Sequence, residues 1–252
     1  MSKIKNIVAS LICSDFIGSC LASIYNNQIP SWRYGRFTYE CSSKHILNSV
    51  KASIFWGIYE SAEVRFVRQY LRSDLDVVEL GASIGVVSTQ ILARINENKK
   101  LFAVEANPYL INTLNNNLLL NNKFYNFTII NEAIDYVHKN EVKFYIEKGN
   151  VNSTTKKNDG NYINVRSTKL SKILSLHNLS SYALVCDIEG TEIEIFLNDI
   201  ESMIKCKQLF VELHDTEFKG VKYKVKDMVR LLTEKIGFNF INSYGTVYYF
   251  NR

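Results

Sequence analysis

Carboxylates accompany several short apolar segments of this 252-residue chain, at the points where buried strands are expected to end. Glu79 lies within the apolar run 77–80, near its end. Glu105 directly follows the run 101–104, and Asp187 directly follows the run 184–186. Short apolar runs of this kind are typical of strands that a parallel sheet buries on both faces. Because ligands of open α/β sheets bind at the carboxyl ends of the strands, the acids are predicted to border one crevice.

The turn that follows Glu79 predicts a ligand-binding loop. Its two glycines, Gly81 and Gly85, allow the backbone to approach a ligand closely and to take positive φ angles. The helix expected after Gly85 presents unpaired N–H groups at its start. We therefore predict cofactor contacts at Gly81, Ala82, Ser83 and Gly85, with a plain strand-to-helix turn as the alternative.

Glu105 stands about 24 residues after Gly81, which is the spacing of the carboxylate that accepts hydrogen bonds from both ribose hydroxyls in Rossmann-type folds. A nicotinamide enzyme would use the same carboxylate, so the glycine pattern has to decide between cofactors. The chain lacks G-x-G-x-x-G and has an acid two residues before its first glycine, which favours S-adenosylmethionine over a dinucleotide. Ala106 and Asn107, next to Glu105, are predicted to contact the same cofactor.

Further acids and a histidine follow two later apolar runs, 184–186 and 209–211. They are Asp187 and Glu189 after the first run and His214 and Asp215 after the second. An imidazole can accept a hydroxyl proton near neutral pH, so His214 is predicted to be the general base, with Glu189 as its competitor. Asp187 is expected to orient the base or to face the cofactor amine. Helix capping by Asp187 and surface solvation of Asp215 are the alternatives.

The same region offers candidate ligands for a metal and for the acceptor. Asp187 and Asp215 together could hold a Mg²⁺ ion that keeps several waters, but these carboxylates can also act without a metal, and metal dependence is not expected. The polar segment 148–160 is predicted to be a surface loop. Acceptor contacts are predicted at Asp215 and at the loop residues Asn152, Ser153 and Thr154, with a merely solvated loop as the alternative.

Alternating strands and helices predict an α/β fold. The expected elements are strands at 77–80, 101–104, 127–130, 142–146, 184–186 and 209–211, helices at 86–95 and 108–120, and a hairpin of 238–241 with 247–250. We therefore predict a Rossmann-like fold with a mostly parallel seven-stranded sheet, a C-terminal antiparallel hairpin and an N-terminal helical addition. Residues 1–56 would form that extension and residues 57–252 the cofactor-binding domain.

The apolar run 7–25 predicts an amphipathic helix. Asp15 lies inside this run, and a charge there disfavours a membrane-spanning or anchored segment. Ile7, Leu11, Phe16, Ile17 and Leu21 fall roughly on one stripe, which is expected to pack on the main domain or on a second copy of the chain. A homodimer through the N-terminal helices is one such arrangement.

Composition narrows the function classes. The net charge of +5 is mild and the lysines are scattered among acids, so the charge does not predict nucleic-acid binding. The five cysteines are widely spaced without a CxxC, which indicates neither a disulfide framework nor a zinc site. A reducing, cytoplasmic location is expected.

As a set, five motifs resemble the FkbM-type S-adenosylmethionine-dependent methyltransferases over roughly residues 57–215. The motifs are Gly57-Ile58-Tyr59-Glu60, Val78-Glu79-Leu80-Gly81-Ala82-Ser83-Ile84-Gly85, Val104-Glu105-Ala106-Asn107-Pro108, Asn131-Glu132-Ala133-Ile134 and Cys186-Asp187-Ile188-Glu189-Gly190-Thr191-Glu192. The chain departs from the family at Glu79, where Asp is common, and at Ser83, where Asn is frequent. The resemblance implies that Glu60, Glu79, Gly81 and Glu105 surround the methionine and ribose of the cofactor, and that Glu132 and Ala133 lie beside its adenine.

The resemblance implies transfer of a methyl group to a hydroxyl of a small carbohydrate, such as a nucleotide-linked sugar or a surface-glycan precursor in polysaccharide biosynthesis. Two other functions stay open. One is methylation of RNA or of another non-sugar molecule, although Asp187-Ile188-Glu189-Gly190 is acidic and lacks the prolines typical of base methylation at amino groups. The other is a non-catalytic module that binds the cofactor.

Overall fold

The computed structural model describes residues 11–34, 36–138, 140–146 and 161–252. Its helices are α1 (Asp15–Ile24), α2 (Asn48–Trp56), α3 (Ser61–Tyr70), α4 (Val86–Leu92), α5 (Ile111–Asn121), α6 (Leu170–Leu176), α7 (Glu192–Asn198), α8 (Ile200–Lys205), α9 (Val225–Arg230) and a following π-helix over Leu231–Lys235. Its strands are β1 (Gln28–Pro30), β2 (Thr38–Glu40), β3 (Asp76–Leu80), β4 (Leu101–Val104), β5 (Phe127–Ile130), β6 (Ala133–Ile134), β7 (Glu141–Tyr145), β8 (Tyr162–Thr168), β9 (Tyr182–Cys186), β10 (Cys206–Glu212), β11 (Thr216–Phe218), β12 (Val221–Tyr223), β13 (Asn239–Tyr244) and β14 (Val247–Asn251).

Seven strands form the central sheet in the order β13-β14-β10-β9-β3-β4-β5. The run from β10 to β5 is parallel, whereas β14 lies antiparallel to both β10 and β13. The predicted Rossmann-like methyltransferase fold, with a mostly parallel seven-stranded sheet and a C-terminal antiparallel hairpin, is confirmed.

The sheet is buried on both faces. Successive side chains of a strand point to opposite faces, so Val77 of β3 joins one hydrophobic cluster and Val78 joins the other. Leu184 and Val185 of β9 divide in the same way. This explains why the apolar runs in the sequence are continuous and do not alternate with polar residues.

The order of the sheet reverses at β3. The chain proceeds from β3 to β4 and β5 on one side, and it later adds β9 and β10 on the other side. In an open α/β sheet such a reversal opens a crevice at the carboxyl ends of the central strands. The tips that carry Glu105, Asp187 and His214 therefore surround the tip of β3.

A second sheet has the order β6-β8-β7. It contains the predicted strand at 142–146, which pairs with β8 and lies outside the central sheet. The sequence did not indicate β8 as a strand. The predicted acceptor contacts at Asn152, Ser153 and Thr154 lie outside the described residues.

The N-terminal segment packs on the main sheet through its own small elements. Gly18 of α1 lies so close to α2 that a Cβ there would be 1.7 Å from the carbonyl oxygen of Asn48. Leu11 and Phe16 of the predicted apolar stripe are 66% and 75% exposed, so these two side chains do not pack on the main domain, and Ile7 lies outside the described residues. Packing of the stripe on a second copy stays a prediction. The antiparallel pair β1 and β2 adds strands to a segment that was predicted to be helical.

Residues of that segment, Ile29 and Tyr39 among them, belong to the same hydrophobic cluster as Val77 of the central sheet. The boundary at residue 56 and the homodimer stay predictions. Within the described residues, no helix is long and apolar enough to cross a membrane.

Candidate active site

The turn after β3 brings the tips of β3 and β9 into contact. Gly81 has a φ of +88°, and a Cβ at this position would lie 1.8 Å from the carbonyl oxygen of Asp187. Only glycine fits such a close approach. Ser83 takes a φ of +49° and Gly85 one of +86°, so the backbone turns sharply before α4 begins. Ala82 is buried in this turn.

Glu105 is held rigidly at the tip of β4. Its Oε2 accepts a hydrogen bond from the Ser83 N–H and its Oε1 one from the Asn107 N–H, both at 2.7 Å. Burial raises the pKa of this carboxyl, and the two backbone donors oppose the rise. The Asn131 side chain donates to the main-chain oxygens of Glu105 and Ala106 and so fixes the segment. The structure thus joins Glu105 to the glycine turn, as expected for a cofactor site.

Two other predicted cofactor residues lie farther from this turn. The Glu132 side chain is 18% exposed, with its Oε2 3.9 Å from the Lys172 Nζ, and Ala133 is buried in β6. Both follow β5, which is the edge strand next to β4. Their predicted place beside adenine stays a prediction.

A cavity of about 470 Å³ opens beside the glycine turn, between the strand tips and the start of α3. It is lined by residues 59–63, by Asp187, Glu189, Glu212 and His214, and by residues 244–247 of the β13–β14 turn. The lining contains five carboxylates. Neither lysine nor arginine lines it in the described part of the chain. Of the predicted cofactor residues, Glu60 and Asp187 line this acidic cavity together with Glu189 and His214. The glycine turn and Glu105 do not line it, although the Tyr59 hydroxyl of the lining lies 3.0 Å from the Ser83 Oγ.

Three of the carboxylates form a tight group. Oxygen atoms of Glu63, Asp187 and Glu212 lie within 4.8 Å of one another. Burial, followed by the charges of Glu212 and Glu189, raises the pKa of Asp187 well above its ordinary range. The Asp187 Oδ1 is buried and accepts no hydrogen bond within the described residues. A positive charge in the cavity would therefore be stabilised here.

Asp215 does not join this group. Its Oδ1 accepts a hydrogen bond from the Val225 N–H at 2.9 Å, at the start of α9, and its side chain does not line the cavity. The structure therefore places Glu63 and Glu212, and not Asp215, beside Asp187. The role predicted for Asp215 in acceptor or Mg²⁺ binding finds no geometric support.

His214 faces the cavity from the tip of β10. Its Nε2 lies 3.3 Å from Glu212 Oε1, which also accepts a hydrogen bond from Thr246. The Nδ1 atom is buried and has no hydrogen-bond partner in the described part of the chain. One ring nitrogen thus points toward the cavity and the other into the protein.

Glu192 is fully buried beneath the loop that follows β9. Its Oε1 accepts hydrogen bonds from the N–H groups of Ile188 (3.0 Å) and Gly190 (3.2 Å), whereas its Oε2 has no partner among the described residues. Burial raises the pKa of Glu192, and the nearby His214 opposes that rise. The Gly190 carbonyl accepts a bond from Thr216, which ties this loop to the segment after His214.

Sequence reasoning assigned no role in the site to Glu63, Glu212 or the β13–β14 turn, and it named Glu192 only as the last residue of a motif. Glu63 had a signal, since it follows Glu60 by only three residues and so comes close to it in the chain. Glu60 itself lines the cavity with a φ of +48° and a buried, unpartnered Oε2 within the described residues. Glu189 also lines the cavity, as predicted for an acceptor-side residue.

Two buried acids have raised pKa values, and we therefore expect the stability of the ligand-free protein to fall with rising pH. Burial raises the pKa of Glu79, which accepts a 2.5 Å hydrogen bond from Ser88, to about 8 and that of Glu63 to about 7. The folded chain therefore keeps protons that the unfolded chain has released. Because the unfolded state binds fewer protons, the free energy of unfolding should fall as pH rises from about 5 to about 8.

Urea unfolding without cofactor measures this effect. We expect the free energy of unfolding to be lower at about pH 8.5 than at about pH 6 by on the order of 1 kcal/mol or more. Glu79→Gln keeps the acceptor for Ser88 and should reduce the difference. Equal stabilities at the two pH values in the parent protein would contradict the assignment.

The fold of this chain is similar to that of several solved methyltransferase structures. Solved structures of similar fold include precorrin-6y C5,15-methyltransferase from Geobacter metallireducens GS-15, at 14% identity over 76% of this chain and 85% of that chain, with a TM-score of 0.41. A putative RNA methyltransferase from Pyrococcus horikoshii is 12% identical over 93% of this chain and 96% of that chain, with a TM-score of 0.42. Aeropyrum pernix fibrillarin, in complex with S-adenosyl-L-methionine, is 8% identical over 74% of this chain and 72% of that chain, with a TM-score of 0.41.

At these identities the likeness concerns the fold alone. A comparison with curated proteins gives no match. The family described as "Methyltransferase FkbM domain" matches residues 79–240, which span β3 to β13 and include the glycine turn, Glu105, Asp187 and His214. This match covers well over half of the 252 residues, and the chain therefore belongs to the FkbM methyltransferase domain family.

Proposed function

We propose that this protein transfers a methyl group from S-adenosylmethionine to a hydroxyl of a small carbohydrate acceptor, such as a nucleotide-linked sugar or a glycan precursor. The observation that carries the proposal is the acidic cavity with His214 at its wall, directly beside the turn of Gly81. Cofactor and acceptor would meet there. Methyl transfer needs the acceptor oxygen, the methyl carbon and the sulfur in line, and positioning of this kind supplies much of an enzyme's acceleration.

The cofactor assignment is supported by Glu105 and by the charge of the cavity. The Glu105 carboxylate, fixed by two backbone N–H groups, stands where ribose hydroxyls can donate to it. S-adenosylmethionine carries a sulfonium and an ammonium group. The buried carboxylates of Glu60 and Asp187 would stabilise these positive charges.

The acceptor assignment is supported by the polarity of the cavity. Carboxylates accept hydrogen bonds, so Glu189 and Glu212 suit a ligand with several donating hydroxyls. The cavity presents five acidic side chains and, in its described lining, neither lysine nor arginine to pair with a phosphate. RNA is disfavoured for this reason, and the diphosphate of a nucleotide-linked sugar would have to stay outside the cavity.

Proton removal would fall to His214. A sugar hydroxyl is a poor nucleophile until a base draws its proton away, and the imidazole Nε2 faces the cavity. In the ligand-free chain Nε2 lies 3.3 Å from the Glu212 carboxylate, so the acceptor hydroxyl would have to replace that contact. The ring proton would then be on Nδ1, which leaves the Nε2 lone pair to take the hydroxyl proton. Glu192 would then position the base and stabilise the imidazolium that forms.

Methyl transfer to a panel of acceptors tests the proposal. The purified chain is incubated with S-adenosylmethionine and with nucleotide sugars, free sugars or an RNA transcript, and products are identified by mass spectrometry. We expect methylation of a sugar hydroxyl and production of S-adenosylhomocysteine, also in the presence of a chelator. Methylated RNA without any methylated sugar would replace the proposed acceptor class, and binding of the cofactor without turnover on any acceptor would favour a non-catalytic module.

A further inference from the structure

A second and much smaller cavity, of about 170 Å³, is lined by three arginines. Its residues are Arg36, Arg68, Gln90, Ala93 and Arg94. They come from the β1–β2 connection, from α3 and from the end of α4. No carboxylate belongs to this lining in the described part of the chain. Three segments that are distant in sequence thus bring three positive charges to one concave surface.

Neutral groups accept hydrogen bonds from two of the three guanidinium groups. Arg94 Nε donates to the Leu71 carbonyl at 2.8 Å, and an Arg68 nitrogen donates to Gln90 Oε1 at 3.0 Å. Gln90 is itself buried and donates to the Tyr39 hydroxyl.

Aromatic rings support two of these arginines. Arg36 lies over the ring of Phe37, with its guanidinium carbon 4.9 Å from the ring centre. Arg68 also lies over the ring of Tyr34, at 5.3 Å. Hydrogen bonds and ring contacts therefore orient the charges without neutralising them.

The position of this cavity separates it from the acidic one. α4 begins after Gly85 at the cofactor turn, and the arginine cavity lies at the other end of this helix, about 10 Å along its axis. A cation after a helix C-terminus complements the helix dipole, which would explain Arg94 alone. It explains neither Arg36 nor Arg68, because these come from other elements.

We propose that Arg36, Arg68 and Arg94 form an anion site that binds a phosphoryl group, either as free phosphate or as part of a nucleotide. Guanidinium groups offer several N–H donors in a planar arrangement that matches phosphate oxygens. All three arginines are exposed, so water and salt weaken the repulsion between their charges, and a bound phosphate would remove what repulsion remains. The site is separate from the acidic cavity, because the two share no lining residue.

Calorimetric titration of the full chain at low ionic strength tests the site, with inorganic phosphate, pyrophosphate and a nucleoside diphosphate as separate probes. We expect binding by the parent protein and at least about tenfold weaker binding by Arg36→Gln and Arg94→Gln. Arg36 is exposed and contacts only a ring in the described part of the chain, so its replacement should leave the fold intact. The control is Arg230→Gln, which removes the same charge from an exposed arginine of α9.

The probes distinguish the two sources of the phosphoryl group. Equal affinity for phosphate and for the nucleoside diphosphate would assign the site to the free ion, whereas tighter binding of the diphosphate would assign it to a nucleotide. Absence of binding for all three probes would overturn the proposal. Equal weakening in the Arg230→Gln control would overturn it as well, because the effect would then come from net charge.

Discussion

Replacement of His214 by asparagine is expected to lower kcat for the sugar acceptor by at least about a hundredfold, with little change in cofactor affinity. Asparagine keeps a polar side chain but cannot accept the hydroxyl proton at neutral pH. The cofactor contacts at Gly81 and Glu105 lie on other strand tips, so binding should survive. Steady-state kinetics together with calorimetry of S-adenosylhomocysteine binding separates the two effects.

Two further variants identify the base. Glu189→Gln removes the competing carboxylate at the tip of β9 and should be tolerated if His214 takes the proton. Glu192→Gln keeps an oxygen for the N–H groups of Ile188 and Gly190 but removes the nearby negative charge that would stabilise the His214 imidazolium. It should lower kcat. If His214→Asn keeps most of its activity whereas Glu189→Gln loses it, the glutamate is the base.

Replacement of Glu105 by alanine is expected to weaken S-adenosylmethionine binding by about a hundredfold or more, since two charge-assisted hydrogen bonds to the ribose would be lost. The same change removes the acceptor of the Ser83 and Asn107 N–H groups and loosens the glycine turn. Isothermal titration with S-adenosylmethionine and S-adenosylhomocysteine measures the affinity.

Glu105→Gln separates these contributions. Glutamine can still accept one backbone hydrogen bond, so it should bind the cofactor better than alanine but worse than the parent. Glu132→Ala, on the segment after β5, is predicted to have a smaller effect because that residue is expected beside adenine. Unchanged affinity in Glu105→Ala, or tight NAD binding by the parent protein, would contradict the cofactor assignment.

The local geometry of the proposed cofactor half of the site was predictable because its signals are local. The apolar run before Gly81 predicted a buried strand, and the glycine spacing predicted the turn into α4. Glu105 follows the next apolar run, about 24 residues after Gly81, which is the spacing of the ribose-binding carboxylate in Rossmann-type folds. Each of these inferences depends on residues that are neighbours in sequence or on adjacent strands, and the observed hydrogen bond from Ser83 to Glu105 fits them.

The acceptor half was only partly predictable. Asp187 and His214 follow strands that the sequence indicated, so their arrival at one crevice could be inferred. The position of Glu63 in the cavity could not be inferred, since it depends on where the start of α3 lies relative to the strand tips. Asp215 was misplaced for a similar reason: it stands one residue after His214 but turns away to accept a hydrogen bond from α9.

By itself, then, the sequence determined the α/β fold and the seven strands of the central sheet, because hydrophobic periodicity and glycine positions act over a few residues. It did not determine β8 or the pair β1 and β2. Only the tertiary structure decided which acids share the cavity. It also decided that Glu192 lies beneath His214 and that three arginines meet at the far end of α4. These juxtapositions arise where segments distant in sequence meet, and the packing of the whole core, not any local pattern, fixes their geometry.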